Sequence, residues 1–141
     1  MSEVKSPEVR LCVLHVDDDP MNLRVVQEIL TAFGHDALAA SSGQEALDAC
    51  ARRTFDVILM DVHMPEMTGI EAVRRMRASP GPERRTPIIA LTADVLTRRP
   101  QEYAALGFDD FVSKPIMVAG LIAAVEHAAA SRREGPISRT A

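Results

Sequence analysis

Short β-type runs alternate with helical patterns five times along the chain, and this alternation limits the fold more than any other feature of the sequence. The runs cover residues 11–16, 36–40, 56–60, 87–91 and 108–112. Strands that alternate with helices form a parallel sheet with helices packed on both faces. We therefore predict an α/β fold with a doubly wound, five-stranded parallel sheet and five helices.

The helical patterns carry start and stop signals. Asp19 and Pro20 are typical of an N-cap and the first helical residue, and Gly34 suits a left-handed C-terminal cap. Pro100 predicts that the fourth helix starts within residues 97–100, and Gly107 predicts its end. The other helices are predicted at 20–33, 43–52, 69–78 and about 116–130.

Length and charge limit the class of protein. The 141 residues suit one domain, predicted at 9–130 between a flexible N-terminus, 1–8, and a flexible tail, 131–141. The net charge of -4 does not favour direct binding of nucleic acid. No apolar stretch reaches the roughly 18 residues of a membrane span, and the N-terminus lacks the apolar core of a secretory signal. We expect a cytoplasmic protein that does not bind membranes.

Polar residues occur where the predicted strands end. Asp17 and Asp18 follow the first strand, Asp61 follows the third, Thr92 the fourth, and Lys114 comes soon after the fifth. The carboxyl ends of parallel strands meet at one edge of a sheet, where α/β proteins place their sites. The sequence therefore predicts one polar site that contains acids, a hydroxyl and an ammonium.

A cluster of carboxylates limits the chemistry of this site. Two carboxylates about 4 Å apart repel by roughly 4 kcal/mol at an effective dielectric of 20, so the cluster needs a cation. Carboxylate oxygens suit Mg²⁺, which takes few protein ligands and accepts others from phosphate. A carboxylate beside Mg²⁺ and a lysine can act as the nucleophile in phosphoryl transfer.

Four motifs in a fixed order give a family resemblance. HVDDDP, MDVHMPEMTG, ALTAD and GFDDFVSKP resemble the motifs of response regulator receiver domains, over about residues 9–130. The resemblance implies the flavodoxin-like strand order 2-1-3-4-5. It also implies a phosphorylation-dependent switch of a two-component phosphorelay, with a histidine kinase or a histidine phosphotransfer protein as donor. Such a domain catalyses its own phosphorylation and dephosphorylation and is not expected to turn over external substrates.

The resemblance assigns roles to individual positions. Asp61 resembles the phosphoacceptor, and Asp17 and Asp18 resemble the acidic pair that holds Mg²⁺. Asp18 and Asp61 would bind the ion directly and Asp17 through water. His63 resembles the position whose backbone carbonyl is a further metal ligand.

The remaining roles concern the phosphoryl group and the switch. Thr92 resembles the hydroxyl that bonds a phosphoryl oxygen, and Lys114 the cation opposite it. The bond between Lys114 and Pro115 corresponds to a cis bond in the family. Phe111 occupies the position of an aromatic residue that changes exposure as the threonine moves, so Thr92 and Phe111 together would form the switch.

Simpler interpretations apply to other polar residues near the motifs. Asp19 is better suited to capping the first helix than to binding metal. Asp109 and Asp110 lie at the opposite end of their strand, where turn and solvent roles are expected. We expect His15 to be a hydrogen-bonded strand residue. For the His63 side chain, control of water access and an idle exposed ring are equally compatible with the sequence.

Two other functions remain open. Asp17 and Asp19 form a D-x-D pair after a strand, as in haloacid dehalogenase-like phosphatases, although Met21 stands where that motif has threonine or valine. The other alternative is a receiver-like module that binds its partner without phosphorylation.

The C-terminal part of the chain bears on the output. About 11 residues follow the predicted fifth helix, so we expect a single-domain type with no output domain, which signals to a downstream protein by contact. Placing Met117 and Leu121 inward leaves Ile122 and its alanine neighbours on the outer face of that helix. This apolar face suggests a weak homodimer through helix 4, strand 5 and helix 5, while alanine helix propensity explains it equally well.

Overall fold

The computed structural model describes residues 10–93 and 98–140, so the N-terminus expected to be flexible, residues 1–8, lies outside the described residues. Five parallel strands form one sheet in the order β2-β1-β3-β4-β5, as predicted. The strands are β1 Cys12–Val16, β2 Asp36–Ala40, β3 Val57–Asp61, β4 Ile88–Thr92 and β5 Asp110–Ser113. The helices are α1 Pro20–Ala32, α2 Gly43–Arg52, α3 Gly69–Ala78, α4 Pro100–Leu106 and α5 Val118–Thr140, with a short 3-10 helix at Pro82–Arg84.

Apolar side chains on the two faces of the sheet form two core layers. Alternate residues of a strand point to opposite faces, so Leu14 and Val16 enter one layer and Val13 the other. The first core layer packs α2, α3 and α4 against the sheet, and the second packs α1 and α5 on the opposite face. Every residue of the central strands β3 and β4 is buried, as expected for a sheet covered on both sides.

Side-chain caps fix where the first three helices begin. Asp19, Ser42 and Thr68 each accept a hydrogen bond from a backbone N–H in the first turn of the following helix. Gly107 ends α4 with a φ of 111°, a left-handed conformation that favours glycine. The predicted bounds of α2 and α3, and the predicted start and end of α4, are confirmed.

Three strands, β3, β4 and β5, begin later and end one residue later than predicted. Asp61 is the last residue of β3, in register with Leu91, and Thr92 is the last residue of β4, in register with Ser113. Both polar residues are therefore part of the sheet, where the ladder restricts their backbone, and do not belong to the loops that follow.

The orientation of α5 differs from the prediction. Ile122, expected on the outer face, is buried in the second core layer, whereas Met117, expected inward, is 67% exposed. The helix begins at Val118, and its buried stripe runs along Leu121, Ile122 and Val125. Since Met117 precedes this helix, the spacing of the stripe does not apply to it.

The C-terminal end of α5 also differs. The helix continues to Thr140, ten residues beyond the predicted end at Ala130 and into the tail expected to be flexible. Arginine and glutamate at 132–134 are good helix formers, which accounts for the first residues beyond the predicted end and not for the continuation past Gly135 and Pro136. The boundary of the domain along this helix stays a prediction. Across the described ranges, no helix has the length and apolar character needed to span a bilayer.

Candidate functional site

Three aspartates lie together at the carboxyl end of the sheet. One carboxylate oxygen each from Asp17, Asp18 and Asp61 lies within 4.8 Å of the other two. They meet because β1 and β3 are neighbours and both end at this edge. Asp17 and Asp61 are buried and Asp18 is exposed. Hard oxygen donors, clustered with an open side, fit the coordination chemistry of Mg²⁺.

Lys114 brings the positive charge of the site. Its Nζ lies 3.2 Å from Asp61 Oδ1 and 3.5 Å from Asp17 Oδ2. Its backbone N–H donates to the Thr92 carbonyl at 2.8 Å, and the bond to Pro115 is cis, as the resemblance implies. One ammonium is thus shared between two buried carboxylates, which leaves the site short of positive charge.

The electrostatics of Asp61 reflect this shortage. Burial, followed by the negative charge of Asp17, raises the pKa of Asp61 to about 6. The Lys114 ammonium and a 3.3 Å hydrogen bond from the His63 backbone N–H oppose that rise. A divalent cation at the cluster would stabilise the ionised form and lower the pKa.

An open cleft of about 550 Å³ gives access to these groups. The predicted residues that line it are Asp17, Asp18, Asp61, His63 and Lys114. The cleft therefore exposes the carboxylate cluster and the lysine to a small ligand.

Thr92 lies at the same edge of the sheet, within the neighbouring strand. It is 1% exposed and directly follows Leu91, the register partner of Asp61. Ala93, the next residue, lines the cleft. The predicted hydroxyl thus belongs to the strand beside the acceptor.

Phe111 connects this edge to α4. It is partly buried against the first core layer, and its ring centroid lies 5.3 Å from that of Tyr103. Tyr103 is buried and meets Phe108 edge-on at 5.9 Å. The sequence did not indicate Tyr103 as part of this aromatic group, because its place depends on how α4 packs.

Three acidic residues have structural roles, of which the cap by Asp19 was expected, whereas Asp109 makes contacts between elements in place of the turn or solvent role predicted. The Asp19 side chain accepts from the Met21 backbone N–H at 3.0 Å and caps α1. At the other end of the strands, away from the cleft, the Asp109 carboxylate accepts hydrogen bonds from Arg77 Nη2 at 2.9 Å and from the Ile88 backbone N–H. Asp110 accepts from the backbone N–H of the next residue.

Two polar residues near the site were not correctly predicted from the sequence, His15 and Asn22. The prediction that His15 is hydrogen-bonded is wrong, since neither ring nitrogen has a partner among the residues that the structure describes. Asn22 donates from Nδ2 to Asp17 Oδ2 at 3.3 Å and lines the cleft. Its position in the first turn of the helix after the aspartates was the only signal for it.

Comparison with known proteins agrees with this geometry. A model of the response regulator receiver domain family matches residues 13–126. The sensor protein GacS of Pseudomonas syringae pv. syringae is 39% identical over 106 residues, or 74% of this chain and 12% of GacS. The aerobic respiration control sensor protein ArcB of Escherichia coli (strain K12) is 35% identical over 120 residues, or 85% of this chain and 15% of ArcB. The chain therefore spans less than one fifth of these relatives' length.

Solved structures give the same result. The receiver domain of the sensor histidine kinase PA1611 from Pseudomonas aeruginosa PAO1, solved with a magnesium ion in its active site cleft, matches with a TM-score of 0.79 and 32% identity, covering 87% of this chain and 100% of that one. The chemotaxis protein CheY4 of Vibrio cholerae matches with a TM-score of 0.79 and 32% identity, covering 85% and 99%. This chain belongs to the response regulator receiver domain family.

Proposed function

We propose that this chain is a phosphorylation-dependent switch that receives a phosphoryl group on Asp61 and signals by protein-protein contact. The observation that carries the proposal is the environment of Asp61. Its buried carboxylate lies 3.2 Å from Lys114 Nζ, beside two further carboxylates, and lines an open cleft. By analogy with the sensor kinases it resembles, the donor is a phosphohistidine on a histidine kinase or a histidine phosphotransfer protein.

The acidic cluster would hold the cofactor. Asp18 and Asp61 would bind Mg²⁺ directly, Asp17 through water, and His63 through its backbone carbonyl. When bound, the ion would neutralise the carboxylates and withdraw charge from the phosphoryl oxygens. The shared lysine supports this assignment, since one ammonium cannot balance the three negative charges that the cluster brings together.

In phosphoryl transfer, the main task of the protein is to position the reacting groups and to stabilise their charge. A carboxylate oxygen of Asp61 attacks phosphorus as the P–N bond to the donor histidine breaks, and the departing imidazole keeps the electron pair and takes up a proton. Lys114 Nζ and the Thr92 hydroxyl would stabilise the phosphoryl oxygens. Hydrolysis reverses the state, because water attacks phosphorus and releases inorganic phosphate from Asp61.

The signal would pass through Thr92 and Phe111. Movement of the threonine toward a phosphoryl oxygen would change the space available to the Phe111 ring, which packs on Tyr103. Phe111→Ala is expected to leave phosphorylation of Asp61 intact and to weaken binding of the downstream protein, measured by titration of the phosphorylated chain. Unchanged partner affinity would remove Phe111 from the switch.

Mass spectrometry tests the main proposal. The protein is incubated with Mg²⁺ and a small phosphodonor such as acetyl phosphate, and one added phosphoryl group is expected. Asp61→Asn should abolish the addition, whereas Asp48→Asn, a matched change at an exposed position in α2, should retain it. No addition to the native chain under these conditions would favour a receiver-like module that binds without phosphorylation.

The phosphatase alternative has less support. It requires Asp17 and Asp19 to act together, but the Asp19 carboxylate caps α1 and lies outside the three-aspartate cluster. An assay of turnover of a small phosphate ester separates the two functions, because that alternative expects turnover that Asp17→Asn abolishes and Asp61→Asn retains. Absence of turnover on external substrates and a cytoplasmic location remain predictions.

A weak homodimer through α4, β5 and α5 also stays a prediction. With Ile122 buried, the outer side of α5 presents Val118 in its first turn and small exposed residues such as Ala119 and Ala123, a smaller apolar area than the prediction assumed. Because Ile122 is buried, a substitution there such as Ile122→Glu would disturb the core and does not test the surface. Sedimentation equilibrium with and without a phosphodonor measures self-association directly.

A further inference from the structure

His15 is a buried polar residue for which the proposed mechanism has no use. It lies on β1, two residues before Asp17, so the two side chains point to the same face of the sheet. The residue is 2% exposed, and within the described part of the chain neither Nδ1 nor Nε2 has a hydrogen-bond partner. Buried polar groups are nearly always paired, so an unpaired imidazole beneath the site needs an explanation.

The imidazole faces one particular oxygen. His15 Nε2 lies 3.8 Å from Asp17 Oδ2, which is too long for a hydrogen bond. A closing movement of about 0.8 Å would bring it within bonding distance. A neutral imidazole carries a single N–H, which either ring nitrogen can hold. Next to a carboxylate, the tautomer with that hydrogen on Nε2 is favoured.

Asp17 depends on a donor that it shares. Its Oδ2 lies 3.5 Å from Lys114 Nζ and accepts from Asn22 Nδ2 at 3.3 Å, while Oδ1 accepts from the Asp19 backbone N–H at 2.9 Å. Lys114 Nζ also contacts Asp61. A phosphoryl group on Asp61 would add charged oxygens that draw Nζ away from Asp17. A fully buried carboxylate would then lack one of its donors.

We propose that His15 is a positioning residue for Asp17, whose Nε2–H closes onto Asp17 Oδ2 when Lys114 turns toward the phosphoryl group. This contact replaces the ammonium and holds the Asp17 carboxylate in its place at the acidic cluster. The inference rests on the proposed function, because the loaded state of Asp61 creates the need for the donor. It also explains why a polar ring occupies an otherwise apolar strand face.

Three proteins test the proposal: the native chain, His15→Val and His15→Gln. Valine suits a buried strand and removes both nitrogens, whereas glutamine restores an N–H at a reach similar to that of Nε2. The affinity for beryllium trifluoride, a phosphoryl mimic, is measured by calorimetry at fixed Mg²⁺, and thermal unfolding is measured without ligands. His15→Val should weaken the mimic about fivefold to tenfold while its unfolding temperature stays equal or rises, and His15→Gln should regain most of the affinity.

Nitrogen-detected NMR of the native chain provides a test that needs no variant. The loaded state should show the His15 proton on Nε2, shifted downfield relative to the ligand-free state. A proton on Nδ1, or unchanged affinity of His15→Val, would overturn the inference while the proposed function stands. Loss of affinity matched by loss of stability, without rescue by glutamine, would also overturn it. Failure of the native chain to bind the mimic would contradict the proposed function and the inference together.

Discussion

Gly69 begins α3 at the point where this helix comes closest to the strand that carries Asp61. A Cβ at this position would overlap the Asp61 carbonyl oxygen, closer than real Cβ atoms come to any other atom. The Gly69 N–H also donates to the Val62 carbonyl at 3.0 Å, so the backbone cannot move away freely. The absence of a Cβ at Gly69 therefore allows the close contact between α3 and β3, the strand that carries Asp61.

Gly69→Ala is expected to destabilise the protein by about 1 to 3 kcal/mol, because the backbone of Asp61 must shift to admit the methyl group. Phosphorylation of Asp61 should slow as well. Gly120→Ala is the matched control, since a Cβ there meets nothing within 4 Å and alanine in α5 should stabilise by about 0.5 to 1 kcal/mol. Chemical denaturation measures both changes, and equal effects at the two positions would contradict the close contact.

The raised pKa of Asp61 makes stability depend on pH in the metal-free protein. Its folded pKa of about 6 exceeds the unfolded value near 3.9, so between these values the folded state binds more protons and stability falls as pH rises. Asp61→Asn should therefore be more stable than the native chain at pH 7, by about 1 to 2 kcal/mol after screening in the open cleft.

That difference should shrink as pH falls and should be small near pH 4, where Asp61 is protonated in the folded state and about half protonated in the unfolded state. Urea denaturation in the presence of a chelator, from pH 4 to 8, measures it. A constant difference across this range would show that the carboxyl charge is not its cause. Saturating Mg²⁺ should reduce the difference in unfolding free energy between Asp61→Asn and the native chain at pH 7, because only the native chain has the Asp61 carboxylate to bind the ion.

The acidic residues of the site could be predicted from the sequence, whereas part of their surroundings could not. Asp17 and Asp61 stand at the ends of apolar runs, and the rule for parallel strands is enough to bring them together. Asn22 and His15 gave no such signal, because their roles depend on distances between α1, β1 and the Lys114 side chain. Hydrogen-bond partners across elements are set by packing, which a pattern along one chain does not contain.

At the scale of elements, Arg77 joins α3 to two loops that precede β4 and β5, at the end of the sheet opposite the cleft. Its guanidinium donates to the carbonyls of Gly107 and Thr86 at 2.9 and 2.7 Å, and to Asp109 at 2.9 Å. The side chain is only 23% exposed. The guanidinium therefore donates hydrogen bonds to backbone carbonyls that would otherwise be mostly buried without a donor.

Arg77→Ala is expected to cost about 2 to 4 kcal/mol, because several partly buried acceptors lose their donor at once. Arg75→Ala serves as a control, since that arginine is exposed and pairs with Glu71 on the helix surface, so its loss should change the free energy of unfolding little. Guanidinium denaturation of both variants gives the comparison. A small, equal loss for the two would mean that solvent replaces the Arg77 contacts.

Local signals account for which elements could be predicted. Gly107 predicted the end of α4, and the structure shows Ser42 and Thr68 capping the starts of α2 and α3, all of which act within a turn of the chain. The orientation of α5 could not be predicted in this way. Alanine is compatible with both faces of a helix, so contact with the sheet, and not the pattern, decided that Ile122 is buried.

At the scale of the whole molecule, His35 connects the two ends of the fold. Its Nδ1 accepts from the Leu11 backbone N–H at 3.2 Å, which leaves the hydrogen on Nε2 to donate to Glu126 Oε2 at 3.2 Å. Leu11 precedes β1, whereas Glu126 lies on α5, 91 residues after His35. The buried ring therefore ties the last helix to the start of the sheet.

His35→Ala is expected to destabilise the protein by about 2 to 3 kcal/mol, because it leaves the buried Leu11 N–H without an acceptor and opens a small cavity. His35→Asn should lose less, since its side-chain oxygen can take the place of Nδ1. Glu126→Gln should lose least, because Glu126 is half exposed and the amide oxygen can still accept. Urea denaturation gives this order, and amide hydrogen exchange at Leu11 should quicken in His35→Ala alone. Faster exchange in Glu126→Gln as well would assign the stabilisation to the contact with α5 and not to the bond with Leu11.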